Sequence, residues 1–167
     1  MTKTLEKIKT IIDSCEIISF DIFDTLLFRP LARPIDVFLC LSDRTYYKSR
    51  LKAETLAIDR YNKEDVSLDE IYSVMPNKYE HFKQAEINFE TKILKPNPEM
   101  LEVLNYAKKC KKKVIITSDM YLPKDVIENI LKINNIEYDK LYLSNELNKR
   151  KSTGNLFKYI KDTENIE

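Results

Sequence analysis

The sequence has one glycine, one histidine and no tryptophan in 167 residues. Walker A and G-x-G-x-x-G loops each need more than one glycine, so Gly154 alone excludes both. Any phosphate chemistry here must use another device. His81 alone excludes histidine-rich metal sites, and no G-x-S-x-G surrounds a serine, which leaves a Ser-His-Asp hydrolase almost no support. Cys15, Cys40 and Cys110 lack zinc-ligand spacing and are expected to be free thiols in a reducing cytoplasm. Nothing resembles a signal peptide or a membrane span. A net charge of +1 argues for neither a nucleic-acid partner nor an anionic membrane. The only dense basic run, "KKCKKK" from Lys108 to Lys113, falls where a helix should end, and cations there complement the helix dipole.

What is present reads as a folded α/β domain. Hydrophobic residues make up 43% and charged residues 33%, unlike a disordered chain. A chain of 167 residues suits one domain with an insertion, and can bury a real core. Leu5, Ile8 and Ile12 predict a helix over 4–14. The apolar run through Ile17, Ile18, Phe20 and Ile22 predicts a first strand at 16–22. Pro30 and Pro34 break the chain, and 35–94 then reads as helices without strand alternation. Ser67 to Glu70, "SLDE", has capping-box spacing. Tyr79, Phe82, Phe89 and Ile93 mark one face of a later helix, expected to form a small core of its own. An insertion of about 60 residues is too long for a loop. It predicts a helical cap at 30–94, between core segments 1–29 and 95–167. Asn97 and Pro98 should start a helix to Lys109, followed by a strand at 113–118. A helix from Pro123 to Ile133, a strand near 140–144 and a last helix in "STGNLFKYIKD" complete the alternation. Such alternation implies a parallel sheet covered by helices.

The stretch "EIISFDIFDTLLFRP", 16–30, ends an apolar strand in two carboxylates, Asp21 and Asp24. Buried unpaired carboxylates are costly, so such residues are paired, metal-bound or at an open strand end. Ligands of parallel sheets bind beyond the carboxyl ends of the strands. The second strand ends in Ser118 and Asp119, and Lys151 opens the helix after the third. A carboxylate, a hydroxyl and an ammonium would then converge at one sheet edge. The carboxylate can attack as a covalent nucleophile. The hydroxyl and the lysine can hold a phosphoryl group or another anion. Asp24 either reaches a leaving group or caps a turn. Arg50 and Glu54, four apart, either pair or leave Arg50 facing an anionic substrate. Glu86 and Glu90 lack a companion Glu-x-x-His, and read as a solvated or salt-bridged face. Tyr46, Tyr47, Tyr61 and Tyr72 read as cap packing.

"FDIFDTLL", "VIITSD" and "KSTG" stand in an order and spacing that resembles the haloacid dehalogenase (HAD) superfamily. More narrowly, "SFDIFDTLLFRP", "SDMYLP" and "LYLSNE…KSTGNLF" resemble HAD-like proteins often met in bacterial polysaccharide-biosynthesis contexts. The resemblance implies a HAD-like (Rossmannoid) parallel sheet with a cap inserted after the first strand. Carried over by position, Asp21 is the nucleophile, Ser118 bonds the transferred group and Lys151 offsets charge. Thr25, Ser118 and Asp119 are candidate substrate contacts, and so is Arg50 if it faces the site instead of pairing with Glu54. Magnesium is the implied cofactor, held by Asp21 and the backbone carbonyl of Phe23. The implied activity is phosphohydrolysis of a small phosphorylated metabolite through an aspartyl intermediate.

Two departures stand against that picture. HAD phosphatases usually carry a second aspartate two residues after the nucleophile, as general acid and base. Here the position is Phe23, which transfers no proton, and Asp24 comes one residue late. Superfamily dehalogenases and phosphonatases also lack that aspartate, so dehalogenase-type hydrolysis is an alternative. Another is a catalytically inactive module that binds an anionic ligand or a partner chain. The fourth motif, with "GDxxxD"-like acids, does not appear before Glu167. The expectation is therefore a fragment, weak in magnesium and in activity. Its first strand would have an open edge, covered by a second copy in a homodimer or by a missing C-terminal segment.

Overall fold

The computed structural model describes residues 3–166. Helix α1 (Lys3–Ser14) leads into strand β1 (Ile17–Phe20), and a turn connects that to β2 (Leu27–Phe28). Four helices follow: α2 (Val37–Leu41), α3 (Arg44–Tyr61), α4 (Leu68–Ser73) and α5 (Phe82–Ile93). Strand β3 (Lys95–Pro96) then returns antiparallel beside β2. Helix α6 (Pro98–Lys109), β4 (Lys113–Ser118), α7 (Lys124–Ile133), β5 (Lys140–Leu143), α8 (Ser144–Leu147) and α9 (Asn155–Glu164) complete the described chain.

The main sheet is parallel, in the order β1-β4-β5. Its register sets Phe20 opposite Ile116 and Ser118 opposite Leu143. Every residue of β4 except Lys113 is buried, as a central strand covered on both faces should be. Leu156 and Ile160 of α9 cover one face against Ile115 and Tyr142. Val114 and Ile116 join the larger cluster with α1, α6 and α7.

Local chemistry accounts for the helix starts. Asp43 accepts the backbone N–H groups of Thr45 and Tyr46 at 2.9 Å each and opens α3. Ser67 and Glu70 form the expected capping box of α4. Asn97 caps α6 through the Met100 N–H, and Pro98 occupies its first turn.

The structure differs from the sequence expectations at four points. Strand β1 stops at Phe20, because the Ile22 carbonyl already closes a turn with the Leu27 N–H at 2.9 Å. The two-residue ribbon β2–β3 and the single turn α8 were not expected; both are too short for a periodic signal. Phe82 and Phe89 build no separate core. They pack on the same cluster as the sheet residues Val114 and Ile116. The cysteines follow expectation: all three are free. Strand β1 has no strand on its second side among the described residues, and Ser19 on it is exposed. No described helix is long and apolar enough to cross a membrane.

Candidate active site

The turn after β1 carries the first site residues. Asp24 sits at φ 57°, in the left-handed region that aspartate tolerates better than most residues. Its N–H donates to the Leu27 carbonyl at 2.8 Å, so Asp24 is a turn residue by its backbone. Its side chain is free of that duty, half-exposed, and 3.7 Å from the Arg29 guanidinium. Asn97 braces the turn from α6: its N–H reaches the Leu26 carbonyl and its side-chain amide the Thr25 carbonyl, at 2.9 and 2.8 Å. Thr25 therefore contributes its backbone, and its side chain does not line the cleft described below.

Asp21 stands one residue beyond β1. Its Oδ1 accepts the Ile22 N–H at 2.8 Å, and its Oδ2 lies 2.9 Å from Lys151 Nζ. The sequence placed these two residues together, and the structure joins them, 130 positions apart in the chain, by an ion pair. Lys151 lies in the loop between α8 and α9. Gly154 closes that loop, donating its N–H to the Lys151 carbonyl at 3.0 Å with φ at 78°. The positive φ is the physical reason for glycine in "KSTG". Asp119, just past β4, accepts the Lys151 N–H on both oxygens at 3.0 and 3.1 Å. Burial pushes the Asp119 carboxyl above its ordinary value, against the pull of the Lys151 N–H. Ser118, at the end of β4, is buried and its Oγ has no partner. Buried polar atoms are nearly always satisfied, so an orphaned hydroxyl at a strand's carboxyl end points to a ligand.

Beside these residues opens a cleft of about 410 Å³. Phe23, Ile35, Phe38, Met120 and Tyr121 give it an apolar wall. Asp24, Glu54, Asp65, Glu90 and Asp119 supply carboxylates, and Arg29 and Arg150 supply cations. Each arginine is already matched. Arg29 Nε reaches both oxygens of Glu90, at 3.0 and 3.3 Å, and its guanidinium lies 4.1 Å over the Phe23 ring. Arg150 holds Asp65 at 2.7 Å and lies 3.7 Å from Glu54. Burial raises the Glu90 pKa, and Arg29 opposes the rise.

Arg50 does not reach this cleft. The expectation that it faces an anionic substrate gives way to a structural role, because its side chain is 0% exposed. Glu86 takes its Nε and NH2 at 3.0 and 2.8 Å, and Glu54 lies 3.5 Å from NH1. Glu86 and Glu90 are both buried, each on an arginine, so their helix face is salt-bridged and not solvated. Sequence reasoning missed Arg29, Glu90, Asp65 and Arg150. "LLFRP" and "NKRK" carried no local signal that these arginines meet carboxylates 61 and 85 residues away.

The donor set falls short of a magnesium site. One oxygen of Asp21 takes a backbone N–H and the other an ammonium. Among the described residues, no group of three His, Cys, Asp or Glu side chains is placed to hold a metal. Magnesium demands a near-octahedral oxygen shell, and these residues do not build one.

No family model matches the chain, and no curated protein is similar to it at a significant level. Solved structures do resemble it. One, described as a crystal structure analysis of a dehalogenase, superposes with a TM-score of 0.59 at 13% identity, over 93% of this chain and 74% of that one. The L-2-haloacid dehalogenase from Xanthobacter autotrophicus superposes with a TM-score of 0.57 at 13% identity, over 91% of this chain and 66% of that one. The chain has the haloacid dehalogenase fold. In this HAD-like fold, Asp21, Ser118 and Lys151 lie at or beyond the carboxyl ends of parallel strands, where ligands of such sheets bind.

Proposed function

We propose that the chain is a HAD-like hydrolase in which Asp21 attacks a small phosphorylated metabolite and forms an aspartyl phosphate. The observation that carries this reading is the Asp21–Lys151 pair at 2.9 Å beside the unpartnered Ser118 hydroxyl. In the first step an Asp21 oxygen bonds to phosphorus and the ester P–O bond breaks. The leaving oxygen takes a proton from Asp24 or from solvent. Water then attacks the acyl phosphate, releasing inorganic phosphate and restoring the carboxylate. Lys151 offsets the charge that gathers on the oxygens, and the Ser118 hydroxyl donates to one of them. No step runs through a metal, and magnesium enters only as a variable of the test.

Charge in the cleft narrows the substrate. Five carboxylates line it against two guanidiniums, and both guanidiniums are paired. This lining favours one anionic group, placed at Lys151, with a neutral or cationic remainder.

A second reading is dehalogenase-type hydrolysis, favoured by Phe23. A halide leaves without a proton, so a phenylalanine in place of the acid costs such a reaction nothing. Asp21 would then bond to carbon, halide would leave, and water would open the resulting ester.

Intact-mass measurement after exposure to acetyl phosphate, with and without magnesium, tests the first reading. One phosphoryl group is expected on the parent chain and none on Asp21→Asn. Labelling that survives Asp21→Asn refutes the assignment. Halide release from 2-haloacids, abolished by Asp21→Asn, would decide for the second reading. Binding of inorganic phosphate without any covalent label or turnover would leave a binding module.

A further inference from the structure

The loop that carries Lys151 is held mainly from the helical insertion, not from the sheet. Between α3 and α4, Glu64 meets it with both oxygens. Oε2 accepts the Arg150 N–H at 3.0 Å and the Thr153 hydroxyl at 2.8 Å, and Oε1 accepts the Asn155 amide. The contact is reciprocal: Asn148 Oδ1 accepts the N–H groups of Glu64 and Asp65 at 2.8 and 3.3 Å. Asp65 adds its bond to Arg150 at 2.7 Å and a bond from Ser144, whose hydroxyl accepts the Met120 N–H at 2.9 Å. From the sheet side, among the described residues only Asp119 takes a loop N–H, that of Lys151. The Arg150 N–H is the largest cause that holds the Glu64 carboxyl below its ordinary value.

We propose that Glu64 is a positioning residue for Lys151. A carboxylate is the side chain able to accept three bonds on two oxygens from one direction. Here it holds the chain on both sides of Lys151, through the Arg150 backbone N–H and the Thr153 hydroxyl. Held so, the loop sets the ammonium on Asp21. Without it, the loop keeps Asp119, the Gly154 turn and the Asn148 and Asp65–Arg150 contacts, but loses the three bonds that hold Arg150, Thr153 and Asn155 to the insertion. The insertion thereby acts on the site through the backbone, without placing a side chain on the substrate. The proposal rests on reading Asp21 and Lys151 as the reacting pair, but its test does not need turnover.

The experiment uses the whole chain with Glu64→Ala and Glu64→Gln, and two readouts. One is amide exchange at residues 150–156, compared with α7. The other is acetylation of Lys151 by acetic anhydride, relative to Lys124. Glu64→Ala is expected to raise both by about tenfold or more, as local opening of a hydrogen-bonded loop does. Glu64→Gln keeps one acceptor oxygen and is expected to recover most of the protection. The Asp21→Asn variant is the control: it frees the Lys151 ammonium for acetylation while loop exchange stays at the parent rate. Unchanged exchange and acetylation in Glu64→Ala would overturn the proposal. A rise spread evenly over the chain, α7 included, would overturn it as well, making Glu64 a stability residue only. Failure of Asp21 to accept a phosphoryl group, with the Glu64 effect intact, removes the proposed function and leaves the positioning role standing.

Discussion

Replacing Glu86 by alanine separates the two readings of Arg50 in one measurement. Glu86 accepts two bonds from the Arg50 guanidinium, at 3.0 and 2.8 Å, and one from the Tyr72 hydroxyl at 2.9 Å. Tyr46 stands behind Tyr72 at 2.7 Å, and both phenols are pushed up by burial, Tyr46 to about 12. The guanidinium is sandwiched between Phe38 and Tyr121, at 4.5 and 4.6 Å from their ring centres. Burial alone would favour a neutral Arg50, but the Glu86 carboxylate outweighs it and raises the pKa. Glu86→Ala therefore leaves a charged group inside with only Glu54, 3.5 Å away at the cleft side. Breaking such a pair costs about 3–5 kcal/mol. For a chain of 167 residues, each kcal/mol moves the melting temperature by about 2–4 °C, so a fall of roughly 6–20 °C is expected. Thermal and urea unfolding followed by far-ultraviolet circular dichroism measure it. The double variant Arg50→Met with Glu86→Leu is expected to recover most of the loss, because an apolar pair of similar volume replaces a buried ion pair at little cost. A loss below about 1 kcal/mol in Glu86→Ala would refute the reasoning, since it would mean that water already reaches Arg50.

Two further predictions concern a titration and an edge. Burial holds the Glu90 pKa above its ordinary 4.5, so as pH rises the unfolded chain releases this proton first, and the group subtracts stability from about that pH upward. Glu90→Gln is thus expected to flatten any fall in stability as pH rises above about 4.5, whatever its constant cost in leaving Arg29 unmatched; an unchanged slope in urea titrations contradicts it. Strand β1 pairs on one side only, with Ile17 and Ile18 half-buried, and such an edge invites pairing. Sedimentation of the 167-residue chain at rising concentration is expected to show a dimer that Ile17→Pro, whose lost N–H faces the open side in this register, abolishes, and a monomer at every concentration refutes it.

The parts of this site that were legible in the sequence are those whose geometry is local. Asp21 follows an apolar strand, Ser118 ends another, and the Gly154 turn marks Lys151; each needs only a few neighbouring residues to be recognised. Placing strand ends side by side needs only the rule that parallel strands point one way. The same reasoning located the α/β alternation, the caps at Ser67 and Asn97, and the stretch of helices after Pro30. It failed where a partner lies far along the chain. Arg50 shows the limit well: helical spacing offered Glu54, and Glu54 is indeed close, but the better partner is Glu86, 36 residues on and on another helix. A helix places neighbours four apart by its own geometry, whereas which helix packs on which depends on the whole core.

Phe23 carries the same lesson into the chemistry. Its identity shows from sequence alone that no proton donor stands two residues after Asp21. What replaces that donor is a matter of packing. The ring lies under Arg29, and Arg29 lies on Glu90 of α5, so this position ties the first turn of the core to the helical insertion. Glu64 ties the Lys151 loop to the same insertion from the other side. Asp21 and Lys151 are therefore both flanked by contacts to residues 64–90. An insertion bound at both flanks is poorly suited to swing open as a rigid lid, because opening would break the Arg29–Glu90 and Glu64–Arg150 contacts together.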